Sequence, residues 1–216
     1  MSSGKGRILS FFGGLVLTEA TITHNEALGP YRRLSLRGEG LQAKTFEPGD
    51  KLQLLLPGDD VRTYTPITWA RGETSLLVYL HGETTPAPRW AQAAAPGDIL
   101  RFVGPQRSLS LPPGPVVLIG DETSIAVAAA LHLARPGQVK AALSVADEDA
   151  ARAAAAAVGL PSPTLLARGP TQTPTTWPSP RPRAPPGRRG GQSASAAAPR
   201  SSRGCGPPCA PAASRA

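Results

Sequence analysis

The stretch Arg62-Thr63-Tyr64-Thr65-Pro66 brings a guanidinium, a phenol and a hydroxyl close together in the chain. On an extended strand side chains alternate in direction, so Arg62 and Tyr64 project from one face and can meet one ligand. A dinucleotide carrying a flat redox ring, such as a flavin, asks for a set of this kind. It needs a fixed cation for the pyrophosphate, an aromatic face beside the ring and a small hydroxyl near the ring's reactive edge, and Arg62, Tyr64 and Thr65 offer these in that order. An Arg–phosphate contact contributes about 1.5–3 kcal/mol, more than the roughly 0.3–1 kcal/mol that a helix dipole offers the same anion, so Arg62 leads the set. Taken alone, Arg-x-Tyr-Thr also describes a surface Arg beside a half-buried Tyr on a barrel strand, which is the commoner case. No acid/base pair and no nucleophilic constellation is recognisable, so no catalytic residue is expected beyond the ring's own contacts. Nor is a metal site expected. Cys205 and Cys209 are the only cysteines, none of the three histidines is near them, and zinc needs about four ligands. A body otherwise free of cysteine fits a reducing cytosol.

The elements that must position these residues are β-strands. From Leu15 to Leu111 apolar residues recur with a period near two. Runs around Leu15–Ile22 and Leu34–Leu36, then Lys51–Leu56, Arg62–Trp69, Thr74–His81 and Asp98–Gly104, are separated by Gly29-Pro30, Pro57-Gly58-Asp59-Asp60, Gly72 and Pro96-Gly97. About six short strands so spaced predict an antiparallel barrel or sandwich. One helix is predicted within it, over Pro88–Ala95.

After Pro112-Pro113-Gly114-Pro115 the pattern changes. Val116–Ile119 is a continuous apolar run, which predicts a strand buried on both faces. Thr123–Ala134 reads as a helix, Val139–Val145 as a strand, Asp147–Val158 as a helix that Asp147 caps, and Thr164–Ala167 as a third strand. This β-α-β-α-β order predicts a parallel sheet, though three strands make only part of one.

The tail from Gly169 to Ala216 has no Asp, Glu, Lys, Leu, Ile, Val or Phe and is rich in Pro, Arg, Gly, Ser and Ala, so it is expected to be disordered. Seven arginines there carry most of the net charge of +8; the rest of the chain has sixteen basic residues against fifteen acidic ones. The basic tail lacks interleaved aromatics, which argues against a nucleic-acid partner. Lys5, Arg7 and the apolar run Ile8–Leu17 resemble a signal peptide, but Thr18-Glu19-Ala20 is a poor cleavage site, and the segment reads as a leader into the first strand. No apolar run reaches the roughly 18 residues a membrane span requires.

Arg62-Thr63-Tyr64-Thr65-Pro66-Ile67-Thr68-Trp69, Leu77-Val78-Tyr79-Leu80-His81-Gly82, Trp90-Ala91 with Pro96-Gly97-Asp98, Gly104-Pro105-Gln106-Arg107-Ser108-Leu109 and Gly120-Asp121-Glu122-Thr123-Ser124 together resemble the siderophore-interacting proteins of the ferredoxin-reductase superfamily. The likeness covers Leu15 to Ala134 and, more loosely, the chain to Arg168. It implies a leader over residues 1–14, an antiparallel Greek-key FAD-binding barrel over 15–112, a partial NAD(P)-binding α/β domain over 113–168 and the tail over 169–216.

The resemblance also implies roles. Arg62 would pair with FAD phosphate, Tyr64 would lie against the flavin, Thr65 would approach its N5 edge, and His81 would close the strand beside it. His81 also suits a strand end facing solvent. The Trp90 helix would receive the pyrophosphate. The family's Gly-Pro-Gly/Ala-Ser before that helix is replaced by Thr85-Pro86-Ala87-Pro88, so Thr84 or Thr85 would have to supply the hydroxyl. Gly120, Asp121 and Thr123 would border the nicotinamide site, although Asp121 or Thr123 would equally cap a solvated turn.

The implied activity is a cytoplasmic FAD-dependent reductase that carries electrons from NAD(P)H or reduced ferredoxin to ferric siderophore and releases Fe(II). The alternatives are a flavin or ferric reductase with another acceptor, and a flavin-binding module or inactive remnant without nicotinamide-dependent turnover. The family's continuation is not recognisable after Arg168, and a frameshift or truncation near that codon is expected.

Overall fold

The computed structural model describes residues 17–81 and 85–169. The expected leader, Thr84, Cys205, Cys209 and the tail beyond Gly169 lie outside the described residues. Alternation builds the first layer. In β1 (Thr18–Leu28) Thr18, Ala20 and Ile22 are buried, and in β3 (Lys51–Leu56) Leu52, Leu54 and Leu56 are, each between more exposed neighbours. Such one-sided burial fixes strand register, because a one-residue slip would turn every apolar side chain to water. β2 (Tyr31–Arg37), β4 (Asp60–Tyr64), β5 (Trp69–Ala70), β6 (Glu73–Tyr79) and β7 (Ile99–Gln106) complete one antiparallel sheet, ordered β4-β3-β7-β1-β2-β6-β5. It curls until β4 meets β6, enclosing Leu34, Leu36, Leu52, Leu54, Leu76 and Phe102. Two helices plug it. In α1 (Glu39–Gln42), which the sequence pattern does not reveal, Leu41 is fully buried and its carbonyl accepts the Trp69 indole N–H at 3.1 Å. α2 (Pro86–Ala93) is tied to β1 by the Asn25 amide, which donates to the carbonyls of Ala91 and Ala94 at 2.8 and 2.7 Å.

Two boundaries differ from expectation for local reasons. The strand predicted over Arg62–Trp69 is broken: β4 stops at Tyr64, Pro66 has no N–H for a ladder, and Ile67 turns toward the α/β half before β5 resumes at Trp69. The helix predicted from Pro88 begins at Pro86, because two prolines fit in the first turn, where no N–H partner is needed.

The second layer has the predicted β-α-β-α-β order. β8 (Val116–Asp121), a 3₁₀ turn (Glu122–Ser124), α3 (Ile125–Ala134), β9 (Val139–Val145), α4 (Glu148–Ala157) and β10 (Thr164–Ala167) give a parallel sheet ordered β10-β9-β8. α3 and α4 pack on it with Ala128, Ala129, Ala151 and Ala154, and the same core takes in Tyr31, Ile67 and Leu77 from the barrel. The run in β8 is not buried on both faces as expected: Val117 is 66% and Ile119 82% exposed. The buried helix residues and the sheet share a single core, and no described element covers the other face.

Candidate functional site

A cleft of about 350 Å³ runs along the seam between the two layers. β4 and the residue after it supply Arg62, Thr63, Tyr64 and Thr65; β6 and its exit supply Leu77, Tyr79 and His81; the start of α2 supplies Thr85, Ala87 and Pro88; and the α/β half supplies Thr123 and Ala126. Six of the nine residues expected from sequence are thus brought to one surface: Arg62, Tyr64, Thr65, His81, Thr85 and Thr123.

Arg62 is restrained before any ligand arrives. Its Nη1 donates to the Asp60 carboxylate and, at 2.9 Å, to the carbonyl of Val61. A guanidinium has five N–H bonds in a planar fork, so an arm held at one nitrogen still offers donors to an anion. Asp60 is mostly buried and its Oδ2 has no partner, which makes it a fixed counter-charge that aims Arg62 and also competes with phosphate for it. Tyr64 packs on the barrel core beneath the cleft. Burial, opposed by the positive charge of Arg62, pushes its phenol up to about 12, so the ring it offers is neutral. Arg62 and Tyr64, two residues apart on β4, both line the cleft, and Thr63 between them lines it too.

The phosphate end is less well supplied. At a helix start the first N–H groups are without intrahelical partners and suit an anion. Here Pro86 and Pro88 have none, and the Arg89 N–H already reaches the Thr85 carbonyl at 3.4 Å. Ala87 carries the other N–H of that turn. Thr85 occupies the N-cap position without a side-chain cap, and its hydroxyl donates to the His81 carbonyl at 3.2 Å. Tyr64, Thr65 and neighbouring hydroxyls are groups of the kind a flavin ring needs, and among the described residues Arg62 offers an anion more donors than the start of the helix does.

Three expected residues do not line the cleft. Trp90 packs on the barrel core from α2 and faces a separate groove beside Pro57 and Ile99. Asp121 caps its turn, its Oδ1 accepting from the Thr123 N–H at 2.9 Å and the Thr123 hydroxyl at 2.6 Å. Gly120 is required by that turn, since a Cβ there would collide with the Ser124 side chain. Asp147 caps α4 through the Ala150 N–H at 2.9 Å. Sequence reasoning passed over Tyr79, although it lies two residues before His81 on the same strand. It also passed over Glu122. This carboxylate is 4% exposed, accepts the Ala146 N–H at 2.7 Å and pairs with Arg168, whose Nη2 also reaches the Ser144 carbonyl at 3.0 Å. Glu122 therefore knots together the ends of all three parallel strands and fixes the turn that carries Thr123.

The family model of the siderophore-interacting FAD-binding domain matches residues 59–109, which include Arg62, Tyr64, Thr65 and His81. Among solved structures, the siderophore-interacting protein of Aeromonas hydrophila is 26% identical with a TM-score of 0.55, over 62% of this chain and 61% of that one. The chain thus spans about three fifths of that relative's length. A siderophore utilization protein from T. fusca is 23% identical at TM-score 0.57, over 75% of this chain and 73% of its own. Phthalate dioxygenase reductase is 15% identical at TM-score 0.57, over 74% of this chain and 54% of its own; these last two similarities concern the fold, which is ferredoxin-reductase-like. No curated protein matches the chain. No helix among the described residues is long and apolar enough to cross a membrane.

Proposed function

With residues 59–109 matching the family model of the siderophore-interacting FAD-binding domain, we propose that the chain is the flavin-holding part of a cytoplasmic reductase. It takes electrons from NADPH, NADH or a reduced ferredoxin and delivers them to a ferric siderophore, releasing Fe(II). The observation that carries this reading is the convergence of Arg62, Tyr64 and Thr65 with Thr123 of the α/β half on one cleft. When bound, FAD would supply the redox chemistry between the electron donor and iron. The chain's own residues bind and orient. Arg62, aimed by Asp60, takes the phosphates; Tyr64 gives the ring a neutral aromatic face; Thr65 offers a hydroxyl beside it; and His81 and Thr85 close the barrel side of the cleft. Thr123, held by Asp121 and by the turn that Glu122 anchors, lies on the side where a nicotinamide would approach, since ligands of open α/β sheets bind beyond the carboxyl ends of the strands.

The test is the visible spectrum of the purified full chain before and after anaerobic NADPH or NADH, followed by ferric siderophore. Bleaching of a yellow protein by nucleotide, with the colour returning as Fe(II) forms, supports the reading; a colourless protein that does not take up added FAD overturns it. Arg62→Ala is expected to weaken FAD binding by roughly ten- to a hundredfold, the loss of one charge-assisted phosphate contact. Asp60→Asn is expected to leave binding intact or tighten it.

A second reading is favoured by one observation, the uncovered face of the three-stranded sheet. A flavin-binding module without nicotinamide turnover would be yellow and remain oxidised under either nucleotide. A general ferric reductase would instead reduce ferricyanide as readily as ferric siderophore.

A further inference from the structure

Tyr79 is the last residue of β6 and lines the same cleft as Arg62 and Tyr64, yet neither its motif nor its neighbours assign it a task. Its ring is held from behind. Tyr31, 1% exposed, meets it with centroids 5.1 Å apart and planes tilted by 42°. The two residues are directly paired across the β2–β6 ladder, so the backbone itself sets their separation. His81 stands at 6.0 Å and 36°. A surface tyrosine without a function would be free to sample several rotamers, whereas this one is braced by two rings and a strand pairing. Burial first, and then the charge of Glu122, push its phenol up against the opposing pull of Arg168, so the ring is neutral at neutral pH. A neutral, electron-rich ring on a cleft wall offers its face to a flat, electron-poor ring system.

We infer that Tyr79 is a second aromatic contact of the bound flavin, on the wall contributed by β6 as Tyr64 is on the wall contributed by β4, and that it orients the ring where the barrel meets the α/β half. This rests on the FAD-binding reading above. It adds a residue that sequence spacing did not assign. Leu77, next on the same face of β6, continues the wall as an apolar surface and buries into the seam with Ile67.

The test uses flavin fluorescence in the FAD-loaded full chain. A phenol in contact with the photoexcited ring lends it an electron and takes it back as the pair returns to the ground state, so emission is lost with no net oxidation. A phenyl ring of the same shape does not. Tyr79→Phe, made in the natural chain and in a Tyr64→Phe background, is expected to raise emission and lengthen its lifetime several-fold with FAD affinity little changed. Tyr31→Phe, one ring further from the cleft, is expected to leave emission as it was. Tyr79→Leu is expected to weaken FAD binding by roughly two- to tenfold, the range an aromatic contact contributes. Emission and lifetime that do not respond to Tyr79→Phe in either background, in protein that is yellow and folded by circular dichroism, overturn the assignment of Tyr79 while leaving FAD binding intact. A chain that binds no FAD overturns both.

Discussion

The barrel and the α/β half are built from different material. The barrel core is Leu34, Leu36, Leu41, Leu52, Leu54, Leu76 and Phe102, each 1% exposed or less, enclosed by a sheet that curls onto itself. The α/β half packs mainly alanines, Ala126, Ala128, Ala129, Ala151, Ala154 and Ala155, around Leu143 and Val145, and completes that core with Tyr31, Ile67 and Leu77 from the barrel. A buried methyl contributes about 0.8 kcal/mol, whereas a buried Leu or Phe contributes about 1.5–3 kcal/mol. The barrel core is therefore the more strongly apolar of the two, and the barrel carries most of the cleft. The α/β half depends on the barrel's outer surface and has Val117, Ile119 and Leu166 exposed on its far side. The two sides of the cleft thus rest on regions of unequal robustness.

A matched pair of core truncations gives the largest test of that contrast. Phe102→Ala is expected to cost about 3–5 kcal/mol and Leu143→Ala about 2–5 kcal/mol. Their signatures should differ. Phe102→Ala should release flavin and secondary structure together on heating, whereas Leu143→Ala should lose helical circular dichroism at a lower temperature than flavin absorbance. Coincident transitions for both probes in both variants would show one cooperative unit and break the comparison.

The same contrast explains what could be read in advance. Strands β3, β9 and β10 are read to the residue, because a half-buried or short strand writes its period or its apolar run directly into the chain. What was hidden depends on distant neighbours. Leu41 makes α1 a plug only because the barrel closes around it, and four residues have no period to detect. Val116–Ile119 suggests burial on both faces because composition reports what a strand can tolerate, not which layers are present. Trp90 shares a motif with cleft residues, yet its helix, tied to β1 through Asn25, turns it onto the barrel core. Glu122 and Tyr79 carried no local signal beyond their spacing, since their partners Arg168 and Tyr31 lie 46 and 48 positions away.

The next largest effect lies where the weaker half is tied together. Removing Arg168 leaves the Glu122 carboxylate buried with a single N–H partner, and Arg168→Met is expected to cost about 3–5 kcal/mol. Adding Glu122→Gln removes the stranded charge and should recover most of that loss, which urea unfolding of the two single variants and the double variant would measure. Two single-variant losses that simply add in the double variant would mean that the pair does not couple the strand ends.

All three tyrosines of the chain, Tyr31, Tyr64 and Tyr79, line or adjoin the seam, and burial raises every one of them. In the unfolded chain they lose their protons near pH 10. The folded chain keeps them longer, with Tyr64 at about 12 and Tyr31 higher still. Below about pH 10 both states are protonated and this contribution to stability is complete; above it the unfolded state sheds protons that the folded state retains, and stability falls until the folded phenols also titrate. Near-ultraviolet absorbance should accordingly show less phenolate in the native protein than in the denatured chain at the pH where the latter is half ionised. Tyr31→Phe should flatten the alkaline decline more than Tyr64→Phe does.

The smallest effect tests the open face itself. Ile119 is 82% exposed, so Ile119→Thr removes almost no packing and is expected to change unfolding free energy by no more than about 0.5 kcal/mol, while Ile22→Thr, at a barrel position 1% exposed, places an unpartnered hydroxyl in a core and should cost several times as much. Threonine keeps the β-branched shape that suits a strand, so the comparison isolates burial from propensity. A loss of more than about 1 kcal/mol on Ile119→Thr would mean that this side of the sheet is covered in solution, and the two halves would then be more alike than their cores suggest.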